Sequence, residues 1–216
     1  MSNFQKKLLK ALIVGKPNVG KSTLLNSLVG EKVSIVSRKA QTTQRNTTGV
    51  ITKDNSQLIF FDTPGLNKIE KNIRIYETFK TVAENVDVLI YMVDNTKKSQ
   101  SIDDQFRNWL NNNDNKFKKK ILIINKIDCI EKVNLFEITR KINGVINFDE
   151  TFFISLSKKS GMERFLNWVE KQAYSHEWLF QQTYKSNISK KNFLSELTRE
   201  KVFEYIHEEI PYNLEI

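Results

Sequence analysis

The chain has 216 residues, 39% hydrophobic, 27% charged and 11% aromatic, a globular composition that excludes a disordered tail and a fibrous repeat and allows one good core with a small appendage. A formal charge of +9 and a pI near 9.4 favour an anionic partner such as nucleic acid or the ribosome, unless abundant Lys, Asn and Ile only reflect genomic composition; Tyr174–Ile216 holds five basic and seven acidic residues, so the excess lies before it. One cysteine, Cys129, and two histidines, His176 and His207, exclude an internal disulfide and a cysteine-built zinc site, and no apolar run reaches the ~20 residues of a membrane helix, so a soluble cytoplasmic protein is expected.

In chain order, LLKALIVG, QLIFF, VDVLIYMV, KILIIN and TFFISL read as strands. KSTLLNSLV, FRNWL, ITRKI and MERFLNWVE between them read as amphipathic helices. This alternation predicts an α/β fold with a mostly parallel sheet and helices on both faces. The runs VDVLIYMVD and KKKILIINK are continuous rather than alternating, as strands buried on both sides should be. NNNDNKFKKK before the latter reads as a polar loop whose lysines form a solvated lead-in. No repeat is visible. After Ala173, YSHEWLFQQTYKSNISKKN has little periodicity and reads as a linker over 174–192. Phe193, Leu197, Val202, Phe203 and Ile206 then fit one helical face with a cap at Thr198 interrupting it, and Pro211 ends the helix.

Three segments carry chemistry. Gly15, Lys16, Pro17, Asn18, Val19, Gly20, Lys21 and Ser22 form G-x-x-x-x-G-K-S between a strand and a helix. Glycines at both ends let backbone N–H groups turn towards a phosphate chain, and the helix N-terminus adds positive potential. Lys21 can then reach the outer phosphates, and the Ser22 hydroxyl can ligate Mg²⁺. Asp62, Thr63, Pro64 and Gly65 follow the strand QLIFF, which puts a carboxylate for Mg²⁺ at a strand end and the Gly65 N–H near the γ-phosphate. Asn125, Lys126, Ile127 and Asp128 end a third strand. The Asp128 carboxylate can accept hydrogen bonds from the N1–H and 2-amino group of guanine, which adenine lacks, while the Lys126 stem lies over the base. Taken singly, the three segments also fit a glycine-rich turn, a β-turn and a charged surface turn.

GKPNVGKS, DTPG and NKID in this order resemble the translation-factor-related P-loop GTPases. SIVSRKAQTTQRNTTG before DTPGL, and LTREKVFEYIHEEIPYNLEI at the end, resemble the Era family within them, and the resemblance covers essentially the whole chain. It implies a P-loop GTPase domain over 1–173, the linker over 174–192, and over 193–216 a short, incomplete KH-type α+β segment. It also implies GTP-to-GDP hydrolysis with Mg²⁺ and a role in small ribosomal subunit (30S) assembly and 16S rRNA maturation. A monomeric state and possible peripheral contact with the inner face of the cell membrane complete the picture. Competing readings are another ribosome-assembly or tRNA-modification GTPase, and a nucleotide-binding remnant without RNA function.

Carried over residue by residue, QTTQR is the first switch, with Thr43 closing on Mg²⁺ and Thr42 second choice. Lys21, Thr43 and Gly65 are then the catalytic set, and Ser22, Thr43 and Asp62 the metal set. Ser155 and Leu156 match the last guanine-binding loop, where Leu156 departs from the usual Ala and backbone N–H groups would meet the base oxygen. Leu66 stands where Ras-type enzymes carry a water-orienting glutamine, so the resemblance implies K⁺ bound through Asn18 as a source of positive charge. Arg38 and Arg45 flank the first switch, where they could approach the phosphates, although solvated loop residues are the simpler reading. No glycine follows Gly161, so the G-x-x-G loop by which KH domains clamp RNA is not in this sequence, and RNA binding is expected to be weak and unspecific.

Overall fold

The computed structural model describes residues 5–34, 47–64, 73–94, 96, 100–102, 104–113 and 116–205. Strands β1 (Lys7–Gly15), β2 (Thr47–Lys53), β3 (Ser56–Asp62), β4 (Val88–Val93), β5 (Lys119–Ile124) and β6 (Glu150–Phe153) form a sheet in the order β2-β3-β1-β4-β5-β6, joined by a short β7 (Tyr174–Ser175). Pairing is parallel throughout except for β2 on β3 and β7 on β1. Helices α1 (Lys21–Val29), α2 (Ile73–Ala83), α3 (Asp104–Asn112), α4 (Lys132–Asn143), α5 (Met162–Lys171) and α6 (Lys190–Tyr205) complete the described residues.

Strand periodicity divides the core in two. Leu9, Ala11 and Ile13 of β1 face Leu24, Leu25 and Leu28 of α1 and Phe165 and Val169 of α5. Leu12 and Val14 face the other way, with Phe79 of α2, Phe106 and Leu110 of α3, and Ile138 and Ile142 of α4. Each buried aliphatic or aromatic side chain stabilises the domain by about 1.5–3 kcal/mol. All six β4 residues are buried, as a strand covered on both faces requires. After β1 the chain builds β3 on one side and β4 on the other, so the end of β1 is a switch point where a crevice opens beyond the strand ends.

Two elements were not legible as such. Strand β2, TTGVITK, mixes polar residues with a glycine, and it is a strand because β3 pairs with it along its whole length, from Thr47↔Asp62 to Lys53↔Ser56. The turn Asp54-Asn55, with Asp54 at φ 52, was the available hairpin signal. Helix α2 follows residues outside those described. The lysines leading into β5 are more than a solvated lead-in: Lys116 pairs with Glu84, Lys118 with the buried Asp87 at 2.8 Å, and Lys119, the first residue of the strand, with Asp149.

The segment after Ala173 is no free tether. Its strand β7 takes the β1 edge below the start of β4, and the buried Gln57 amide bonds the backbone of Leu179 and Phe180. Sequence periodicity missed this because the anchors are single residues and backbone groups. Helix α6 runs unbroken through Thr198, whose hydroxyl donates back to the Leu194 carbonyl at 3.0 Å. The hydroxyl therefore serves inside a helix rather than capping one. Ser189 caps instead, accepting the Asn192 N–H on its Oγ at 3.2 Å. The Val202 and Phe203 side chains, Ile206 and Pro211 lie outside the described residues.

Candidate functional site

The loop between β1 and α1 requires its two terminal glycines. At φ 155, Gly15 passes so close to β4 that a Cβ would lie 2.3 Å from the Met92 carbonyl oxygen, and a Cβ on Gly20, at φ 109, would lie 2.5 Å from Asn125 Nδ2. Asn18 between them is exposed and left-handed at φ 67. Lys16 Nζ donates to the Ser101 hydroxyl at 2.6 Å, and Pro17 is half-buried beside it. Lys21, 7% exposed, curls back over the loop and donates to the carbonyls of Gly15 and Lys16 at 3.0 Å each. Burial pulls its pKa down and the nearby Asp62 opposes this.

Asp62 ends β3 fully buried. Its Oδ2 accepts from Ser22 Oγ at 2.6 Å and Ser34 Oγ at 3.3 Å, whereas Oδ1 has no hydrogen-bond partner among the described residues. Burial pushes the Asp62 carboxyl above its ordinary value, against the pull of Lys21, Ser22 and Ser34. An orphaned buried carboxylate oxygen beside a serine hydroxyl, facing a phosphate loop, is a donor set that fits Mg²⁺. That ion takes one or two protein oxygens and fills its octahedron with phosphate oxygens and water. Thr63 donates to the Ile13 carbonyl at 2.9 Å, which ties the end of β3 to β1, and Pro64 is buried. Thr42, Thr43, Gly65, Leu66, Arg38 and Arg45 lie outside the described residues.

The third motif joins the first. Asn125 is 3% exposed at the end of β5, donates from Nδ2 to the Val19 carbonyl at 2.9 Å and accepts the Leu156 N–H on Oδ1 at 3.3 Å. It thereby ties the phosphate loop to the loop after β6. Lys126, left-handed at φ 60, reaches the Asn18 carbonyl at 3.0 Å and the buried Asp94 at 2.6 Å, so its side chain ties the end of β5 to the phosphate loop and to the end of β4. Ile127 packs half-buried and opens the 3₁₀ turn that carries Asp128. Asp128 is exposed. Its Oδ1 accepts from Ser155 Oγ at 2.6 Å and its Oδ2 from Ser157 Oγ at 3.1 Å. The Ser155 hydrogen bond holds the Asp128 carboxyl below the usual carboxylate range, which keeps it ionised as an acceptor. Ser155 is buried, its N–H bonded to Ser160, and Leu156 packs half-buried on the core.

Four contributors escaped the sequence reading. Asp94 anchors Lys126, and its place at the end of the β4 run was the available signal. Ser34, Ser157 and Asn26 had none, since each acts through a fold contact with no fixed spacing. Asn26 bonds the backbone of Val33 and Ser34.

Comparison with known proteins agrees with this geometry. The model of the 50S ribosome-binding GTPase family matches residues 10–126. GTPase Era of Ehrlichia canis (strain Jake) is 34% identical over 100% of this chain and 73% of its own length. The chain belongs to the Era family of GTPases. GTPase Era of Sinorhizobium medicae (strain WSM419) is 32% identical over 93% of this chain, which spans only 64% of that relative's length. A solved structure of Era in complex with MgGDPNP and nucleotides 1506-1542 of 16S ribosomal RNA superposes with a TM-score of 0.79 at 32% identity, covering 95% of this chain and 70% of the other.

Proposed function

We propose that the chain binds GTP and GDP with Mg²⁺ and hydrolyses GTP to GDP and phosphate as a switch in ribosome assembly. The observation that carries this reading is the Asn125–Lys126–Asp128 bracket, which is built onto the phosphate loop and presents an ionised carboxylate with both oxygens held in place. Such a carboxylate matches the two adjacent N–H donors of guanine and leaves adenine unmatched. The MgGDPNP held by the Era relative supports the nucleotide and the metal.

Positioning and electrostatics supply the chemistry. Lys21 and the loop N–H groups would hold the phosphate chain, and Ser22 and Asp62 would hold Mg²⁺, joined by Thr43 on the family reading. Mg²⁺, when bound, neutralises charge that develops on the β and γ oxygens. Water attacks in line, and the γ-phosphate leaves as inorganic phosphate. With Leu66 unable to orient that water, Asn18 would hold a K⁺ ion, which would supply further positive charge. Support for this is the sequence pattern and the exposed, left-handed Asn18 whose carbonyl Lys126 holds.

The partner we propose is the small ribosomal subunit through 16S rRNA, in 30S assembly and rRNA maturation, which the RNA in the Era complex supports. The family model's description names the large subunit, and that is the competing outcome. We place the protein in the cytoplasm as a monomer; peripheral membrane contact rests on family resemblance alone. No helix among the described residues is long and apolar enough to cross a membrane.

The test is turnover of GTP against ATP with Mg²⁺, in K⁺ and in Na⁺ at constant ionic strength, followed by titration with purified 30S and 50S subunits. GTP-selective turnover that rises in K⁺, with preferential 30S binding, is expected. Equal use of ATP would contradict the guanine assignment, and equal rates in the two salts would contradict the ion.

A further inference from the structure

The chain between Ser34 and Thr47, which contains the first-switch motif, starts and ends at points held by asparagines from outside it. At its start, Asn26 of α1 accepts the N–H groups of Val33 and Ser34 at 2.8 Å each and donates to the Ser34 carbonyl at 2.7 Å. At its end, the N–H of Thr48 donates to Asn187 Oδ1 at 3.0 Å. Asn26 belongs to the nucleotide domain. Asn187 lies on the strap that follows it.

The strap is fixed where it needs to be for this role. Its Phe180 and Tyr184 rings stack 4.4 Å apart and pack on Leu8, Val50 and Ile59. Gln57, buried in β3, accepts the N–H groups of Leu179 and Phe180 and donates to the Phe180 carbonyl. The strap then runs antiparallel along the open edge of β2, with the Val50 N–H donating to the Lys185 carbonyl at 2.8 Å and a bridge between Gly49 and Ser186. Thr48 is buried, so its outward N–H needs a partner from the strap, and Asn187 supplies it. Two residues later Ser189 caps α6. On the inner side of β2, Thr47 pairs with Asp62. One short stretch of β2 therefore pairs with the backbone of the residue proposed to hold Mg²⁺ on one edge and meets the strap that leads into α6 on the other.

We propose that Asn187 is a positioning residue for hydrolysis: it fixes the start of β2 relative to Asp62, and couples that start to the beginning of α6. It acts through Thr48 and touches no substrate. The proposal rests on the GTPase reading, and goes beyond it by making turnover answer to a residue outside the nucleotide domain.

The test compares wild type, Asn187→Ala and Asn187→Asp in GDP affinity, single-turnover hydrolysis of bound GTP, and amide hydrogen exchange with GDP against a non-hydrolysable GTP analogue. Asn187→Ala should keep GDP affinity within about twofold and slow single turnover about three- to tenfold, the scale of one lost hydrogen bond. Asn187→Asp, which keeps an acceptor for the Thr48 N–H, should recover most of the rate. In wild type, protection of β2 and of residues 185–193 should change together between nucleotides, and in Asn187→Ala the two should separate. An unchanged rate with unchanged exchange, a loss shared equally by the Asp variant, or affinity falling in step with rate would each overturn the proposal. A wild type that binds GDP but leaves GTP intact contradicts the proposed activity instead, and the exchange comparison still decides the coupling.

Discussion

At one end of the site Lys21 and Asp62 are buried side by side, and burial pushes the lysine down and the carboxyl up, towards neutrality. At the other end Asp128 stands exposed, and a serine hydroxyl holds it ionised. Burial thus disfavours both charges at the phosphate end, while a hydrogen bond favours the charge at the base end. A pocket of the first kind is suited to respond to what it binds, because an arriving phosphate or cation changes the state of the groups it meets. A preset carboxylate is suited to select.

The contrast can be broken most severely at Lys21. Lys21→Ala should cost at least about 100-fold in GTP affinity or turnover, the ~2.7–4 kcal/mol of a lost preorganised charge contact. It also removes the cation that opposes the upward push of burial on the Asp62 carboxyl and leaves that polar group buried without it, so the double variant Lys21→Ala/Asp62→Asn should melt above the single variant. Thermal melts by circular dichroism check this, and a double variant no more stable than the single would mean that the two groups are not coupled.

A smaller effect is expected at the metal. Chelating Mg²⁺ should weaken GTP binding about tenfold in wild type and little in Asp62→Asn, because the orphaned oxygen is the protein's main offer to the ion. Protons compete for the same carboxylate. Since its pKa is raised, the carboxyl is protonated below that elevated value, and the Mg²⁺ needed for half-maximal binding should climb as pH falls through it, before ordinary carboxylates titrate. A flat Mg²⁺ requirement down to the usual carboxylate range would contradict the burial argument.

The mildest change is Ser155→Ala. Near neutral pH Asp128 stays ionised without its partner, so GDP affinity should fall less than about tenfold, the scale of one hydrogen bond to a charged group. The acid limb should move. In wild type the depressed pKa preserves guanine binding above that low value and loses it only as pH falls through it, whereas in the variant the loss should begin at higher pH. Unshifted acid limbs would show that Ser155 does not set the charge of Asp128.

The same division governs what could be read from the sequence. The buried strands, the α1 and α5 helices and the three motifs were legible because periodicity and fixed spacing encode them, and the loop glycines follow from contacts that any such loop must make. What was not legible depends on distant partners. Gln57 looks like a polar intruder in an apolar strand until Leu179 and Phe180 arrive to use it. Ser34 and Ser157 acquire meaning only from Asp62 and Asp128, which lie 28 and 29 residues away along the chain. Thr198 misled because a hydroxyl that can cap a helix can equally bond back within one.

The most direct test of the guanine assignment is a comparison of GDP, ADP and XDP affinities for wild type and Asp128→Asn. With the carboxylate in place, GDP should bind at least about 100-fold more tightly than ADP or XDP, since two charge-assisted hydrogen bonds depend on it. In Asp128→Asn the amide N–H₂ would face the base, so GDP should weaken and XDP, with a 2-oxo group there, should overtake it. Wild-type affinity for ADP equal to that for GDP, or an Asn variant that still prefers GDP, would contradict the account.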